Sequence, residues 1–86
     1  MTTPRARLAI LASGGGSNLQ AILDHLRFLG AAAPAEVALV LSDRAAAGAL
    51  DRARAVQIPA IYLPAKESHT LAAVLEAQDI THIALA

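Results

Sequence analysis

Six consecutive residues, Ser13-Gly14-Gly15-Gly16-Ser17-Asn18, carry the clearest chemical signal in the sequence. Three glycines in a row permit a tight turn with positive φ, and they bare the backbone so that an anion can come close to its amides. Where such a turn opens a helix, the first amides have no intrahelical acceptor, and the helix dipole places about half a positive charge at that end. The Ser17 hydroxyl and the Asn18 amide add two side-chain donors. Together these groups predict a site for a single phosphate, held by charge-assisted hydrogen bonds worth about 1.5–3 kcal/mol each. The plain alternative is a glycine turn that only packs a strand tightly against a helix.

Two better-known phosphate loops fit less well. A P-loop requires Gly-Lys-Ser/Thr, and no lysine stands in this segment. The dinucleotide fingerprint G-x-G-x-x-G is met by Gly14 and Gly16, but Leu19 occupies its third glycine position, where a bulky side chain would hold the helix off the strand. Asp43 ends the second apolar run, near where a dinucleotide fold keeps its ribose-binding acid; Ser42-Asp43-Arg44 reads equally as a turn, or as a cap for the helix after it. A dinucleotide-binding half-domain of a dehydrogenase-like protein is therefore the alternative reading. His25, His69 and His82 are too widely spaced to suggest metal ligation, and Asp51, Arg52 and Arg54 read as a charged outer helix face.

The elements that position the loop follow from hydropathy. Leu8–Ala12 is a short apolar run, as expected of a strand buried on both faces. Ser17–Leu29 follows with Leu19, Ile22, Leu23 and Leu26 on one helical face; Ser17 or Asn18 can cap its start, and Gly30 suits its end. After a connection containing Pro34, Glu36–Ser42 reads as a second strand, and 46–56 as a second helix with Leu50, Ala53 and Val56 inward; Gly48 inside it costs about 1 kcal/mol. Pro59–Leu63 reads as a third strand, 67–78 as a third helix, and His82–Ala86 as a fourth strand. This alternation predicts an α/β, Rossmann-like three-layer αβα fold with a parallel sheet of strand order 3-2-1-4, ending after the fourth strand. An open sheet edge there predicts self-association.

Composition narrows the function classes. Eighty-six residues make one small domain, with 56% hydrophobic residues but one Phe and one Tyr, so its core is thin. Seven basic and seven acidic side chains cancel, which argues against a nucleic-acid partner. Cysteine is absent, excluding disulfides, thiolate metal sites and a cysteine nucleophile. The start, Met1 to Ala12, imitates a secretory leader but has too short an apolar run, and no stretch approaches the roughly 18 apolar residues of a membrane span. These features predict a cytoplasmic protein without a membrane partner or a metal.

The loop and its surroundings resemble one family. SGGGSNLQAI (13–22) is similar to the S-G-x-G-S-N-L-Q-A-I loop of glycinamide ribonucleotide formyltransferases, and LSDRAAAGALDRARAVQIP (41–59) resembles that family's S-N/D-R-x-x-A-x-G-L-x-R-A-x-x-x-G-I-P stretch. The resemblance implies formyl transfer from the co-substrate 10-formyltetrahydrofolate to the amine of glycinamide ribonucleotide, in de novo purine biosynthesis. It implies that Gly15, Gly16, Ser17 and Asn18 hold the ribonucleotide phosphate. The counterpart of a folate-contacting arginine is Lys66, which cannot copy a bidentate arginine contact. It further implies that residues 1–86 are the phosphate-binding N-terminal half of a formyltransferase domain. The family's catalytic asparagine, histidine and aspartate lie beyond the fourth strand, so the resemblance implies a chain that is inactive alone or serves only as an assembly fragment.

Overall fold

Apolar residues on both faces of the first strand place it in the middle of a sheet. The computed structural model describes residues 5–86; Met1 to Pro4, the start of the leader-like stretch, lie outside the described residues. Strand β1 (Ala6–Leu11) runs between β2 (Ala35–Ser42) and β4 (His82–Leu85), and β3 (Ala60–Tyr62) flanks β2. All three pairings are parallel, giving the order β3-β2-β1-β4 expected from the alternation. Ala9 and Ile10, pointing to opposite faces of β1, are both fully buried.

Two helices cover one face and a third covers the other, as right-handed crossovers require when the chain moves first toward β3 and then back past β1. Helix α1 (Ser17–Leu29) and helix α2 (Gly48–Ala55) pack Leu19, Leu50 and Ala53 against Leu8, Ile10 and Val40. Helix α3 (Leu71–Ala77) packs Leu71, Val74 and Leu75 against Ala9, Leu39 and Leu41. A register shift in the β1–β2 ladder, where Leu8 pairs with Val37 but Ala9 with Leu39, changes the alternation of β2. Val37 and Val40, three residues apart, therefore serve the same face. The bulge lets a thin core recruit one more branched side chain to the α1–α2 layer.

Boundaries differ from expectation in three places. Residues 65–70 form a 3₁₀ segment ahead of α3 rather than its first turn, with a break at Glu67 (φ −108°, ψ 19°). Thr70 Oγ1 donates to the Glu67 carbonyl there, a local bond that competes with the α-helical ladder. Val56, expected inward, is 47% exposed, because α2 ends at Ala55. Gly48 is the first residue of α2 and not an interior one, so the expected interior cost does not apply.

The amino ends of the strands are tied together by Arg7. Its N–H donates to Thr81 Oγ1 (2.8 Å), its Nε to the Gln78 carbonyl (3.1 Å) and its Nη1 to Glu36 Oε1 (3.1 Å). One side chain thus links β1, β2 and the turn after α3, leaving the carboxyl ends free for a site. Among the described residues no helix is long and apolar enough to cross a membrane.

Helices α2 and α3 end alike. Gln57 and Asp79 adopt positive φ (62° and 54°). After α2, Ile58 N–H reaches the Ala53 carbonyl and Gln57 N–H the Arg54 carbonyl; after α3, Ile80 N–H reaches Leu75 and Asp79 N–H reaches Glu76. Both ends are Schellman motifs with a non-glycine residue in the left-handed position, where an L side chain costs about 1–2 kcal/mol. Gln57 stands where the resembling motif carries glycine. Replacing Gln57 by Gly is expected to raise stability by about 1 kcal/mol, read as a higher urea midpoint at unchanged m-value.

Candidate functional site

The turn after β1 lies at the carboxyl edge of the sheet, beside the gap between β1 and β4 where the strand order reverses; open α/β sheets place ligand sites there. Only one of the three glycines uses positive φ: Gly16, at 86°, is the N-cap residue of α1. Neither Ser17 nor Asn18 caps the helix, contrary to expectation. Ser17 is already its first residue, and no side chain caps this end. Both remain exposed, with side chains free of hydrogen bonds to other described residues.

The loop is fastened by its carbonyl groups to α2. Ala49 N–H donates to the Gly14 carbonyl (3.3 Å), and Arg52 Nε donates to the Gly15 carbonyl (2.8 Å). The approach is close enough to demand glycine on both sides. A Cβ on Gly48 would lie 2.9 Å from the Gly15 oxygen, and one on Gly16 would lie 2.7 Å from Ala49 Cα. Gly14 and Gly15 are different: a Cβ on either would meet nothing within 4 Å. On the donor side, Gln20 N–H bonds the Gly16 carbonyl (2.8 Å), whereas among the described residues no backbone N–H from Gly14 to Leu19 finds a protein acceptor. Acceptors are tied down and donors are left open, as an anion site requires.

The other singled-out residues separate from this loop. Lys66 is exposed in the 3₁₀ segment leading to α3, whereas the glycine loop packs on α2. Asp43 is exposed and sits in a turn where Ser42 Oγ accepts the Arg44 N–H (3.1 Å); it does not cap α2, whose N-cap residue is Ala47. Asp43 lines a cavity of about 380 Å³ over the carboxyl strand ends, with Leu11, Ser13, Ser42, Ser68 and Leu85. Ser13 joins this cavity to the loop. His25, His69 and His82 are exposed, and among the described residues no group of three His, Cys, Asp or Glu could hold a metal ion. Leu19, expected on the inward face of α1, is fully buried within the α1–α2 core, so a leucine side chain fills the place where the dinucleotide fingerprint requires glycine.

Sequence reasoning missed Arg52. It was grouped with Asp51 and Arg54 on an outer face, and those two do pair (3.6 Å). Arg52 instead turns back to the loop and also donates to Gln20 Oε1 (3.3 Å). A cation four residues after Gly48, one turn along α2, is the available signal, but only tertiary contact reveals its direction.

Comparison with known proteins gives one answer. A family model described as formyl transferase matches residues 6–84. The trifunctional purine biosynthetic protein adenosine-3 of Drosophila pseudoobscura pseudoobscura is 40% identical over 67 residues, covering 78% of this chain and 5% of that protein. Glycinamide ribonucleotide transformylase 1 from Geobacillus kaustophilus superposes with a TM-score of 0.85 at 34% identity, covering 95% of this chain and 46% of that one. The corresponding enzyme from Symbiobacterium toebii gives 0.84 at 37% identity, covering 95% and 41%. The chain thus spans less than half of these solved structures and about a twentieth of the curated relative. These matches do not favour the dinucleotide alternative.

The glycine geometry predicts an asymmetric substitution series. Gly16→Ala is expected to cost about 1–2 kcal/mol or more, from left-handed strain and overlap with Ala49. Gly14→Ala and Gly15→Ala should fall within about 0.5 kcal/mol of the parent, or slightly above it in stability. Urea unfolding of the three variants checks this order.

Proposed function

This chain belongs to the formyl transferase family, and from that membership we propose that residues 1–86 form the phosphate-binding N-terminal half of a phosphoribosylglycinamide formyltransferase domain. The observation that carries the proposal is the loop in which the Gly14 and Gly15 carbonyls are held by α2 while the neighbouring amides are unpaired. In this reading the amides of Gly15 and Gly16, with Ser17 and Asn18, grip the phosphate of glycinamide ribonucleotide. A phosphate there fixes one end of the substrate, so that the amine is delivered to the formyl donor at the carboxyl edge of the sheet. Binding energy at this remote group serves to orient the reacting one.

The reaction proposed is attack of that amine on the formyl carbon of 10-formyltetrahydrofolate. A C–N bond forms to the substrate, the bond from the formyl carbon to the folate nitrogen breaks, and the proton lost by the amine is taken up by that departing nitrogen. Such a step needs a proton carrier and an oxyanion donor. Those roles are assigned to the rest of the domain in the longer relatives, and this chain is assigned binding. Lys66 remains the proposed folate contact, supported by its segment, whose Ala65 and Ser68 border the cavity. Localisation in the cytoplasm belongs to the same proposal.

We also propose self-association through β4. No strand pairs with its outer edge among the described residues, and Ile83 and Leu85 are 51% and 82% exposed. Sedimentation over a concentration series is expected to show reversible dimers; a monomer at every concentration overturns this part.

The phosphate reading is tested by titrating the isotope-labelled chain with ribose 5-phosphate and, separately, with ribose. Saturable amide shifts at 15–18 with the phosphate alone are expected, and Ser17→Ala or Asn18→Ala should each weaken binding about tenfold. Equal responses to both sugars, or none, overturn it. NAD is expected to cause no shifts around Asp43.

A further inference from the structure

The two loop carbonyls that α2 holds share their peptide units with the two amides that matter most. A trans peptide is planar, with its C=O and N–H directed oppositely, and the described chain contains no cis bond. Fixing the Gly15 oxygen on Arg52 therefore turns the Gly16 N–H away from α2, and fixing the Gly14 oxygen on the Ala49 N–H does the same for the Gly15 N–H. Hydrogen bonds in series also polarise one another, by about 10–30% per bond, so an amide whose own carbonyl is engaged is a stronger donor.

Arg52 is built to hold this geometry. Its Nε contact to Gly15 is short, 2.8 Å, and its Nη1 reaches Gln20 Oε1 at 3.3 Å. Gln20 Nε2 in turn donates to Asp24 Oδ1 at 2.9 Å. The guanidinium thus bridges the loop and α1 from its place on α2, and its planar fork makes both contacts at once. Its stem packs against Gly16, where a Cβ would lie 2.8 Å from Arg52 Cδ. Among the described residues, Asp51 is paired with Arg54 and no carboxylate forms an ion pair with Arg52. The cation beside the loop is not neutralised.

We infer that Arg52 is a positioning residue of the phosphate loop: it aims and polarises the Gly16 amide and adds an unneutralised charge beside it. The inference rests on the phosphate reading above for its ligand, but its effect on the amide is independent of any ligand.

The experiment uses Arg52→Lys, which keeps the charge without the planar fork, Arg52→Gln, which removes the charge, and Arg54→Gln as a control on the same helix. Unfolding midpoints establish that each variant is folded. Without ligand, Arg52→Lys is expected to move the Gly16 amide proton to higher field and to leave Gly15, whose carbonyl partner is Ala49, nearly in place. With ribose 5-phosphate, Arg52→Lys should weaken binding about tenfold and Arg52→Gln further, with Arg54→Gln unchanged. If Arg52→Lys leaves both the Gly16 resonance and the affinity as in the parent, the positioning role is overturned. If the parent chain ignores phosphate while Gly16 still moves in Arg52→Lys, the phosphate reading has failed and the aiming of the amide stands.

Discussion

Backbone lies directly on backbone where the first turn of α2 meets the loop after β1. Side chains normally keep two packed helices about 8–10 Å apart; here Gly48 and Gly16 remove them where helix meets loop, and Ala49 adds only a methyl group. The rest of the arrangement follows from that approach. It lets Ala49 N–H reach the Gly14 carbonyl, it forces Gly16 into a left-handed conformation, and so it sets the direction in which α1 leaves the sheet. An alanine-rich core of little aromatic area is adequate because close approach compensates for small side chains.

The two ends of the sheet divide the work. At the amino end, the Arg7 cluster joins β1, β2 and the turn preceding β4 through side-chain and backbone bonds. At the carboxyl end, the glycine loop has its carbonyl groups bonded and its amides without protein acceptors, and the strand ends border an open cavity. Ser13 belongs to both loop and cavity, so a ligand anchored on the amides would extend across the strand ends. A site placed on rigid elements in this way can hold a substrate precisely enough for chemistry supplied by other parts of a domain.

Sequence alone revealed the strand order and the bounds of α1, because continuous apolar strands, a helical stripe and a glycine turn each leave a strong local pattern. The loop was legible for the same reason. What escaped notice depended on tertiary contact. No glycine marks the left-handed helix ends at Gln57 and Asp79, and both motifs are stabilised by bonds to carbonyls that only a formed helix presents. The shift at Ala38 is invisible because Val37 to Leu41 reads as one apolar run in either phase. Gly48 looked like a helix defect until its neighbour proved to be the Gly15 peptide, and Arg52 looked like one charge among three until its guanidinium proved to face the loop.

The unequal crowding around the loop glycines separates two kinds of constraint. In the S-G-x-G pattern, the second fixed glycine corresponds to Gly16, whose conformation and contact with Ala49 account for it without reference to any ligand. The variable place corresponds to Gly15, where a methyl group would meet open space, so the architecture is indifferent to what stands there. Gly14 shares that freedom: the architecture is equally indifferent to a side chain there. A methyl group at 14 or 15 would therefore change the outer surface of the loop and leave the framework beneath it untouched, which parts what folding demands of these glycines from what an approaching anion would demand.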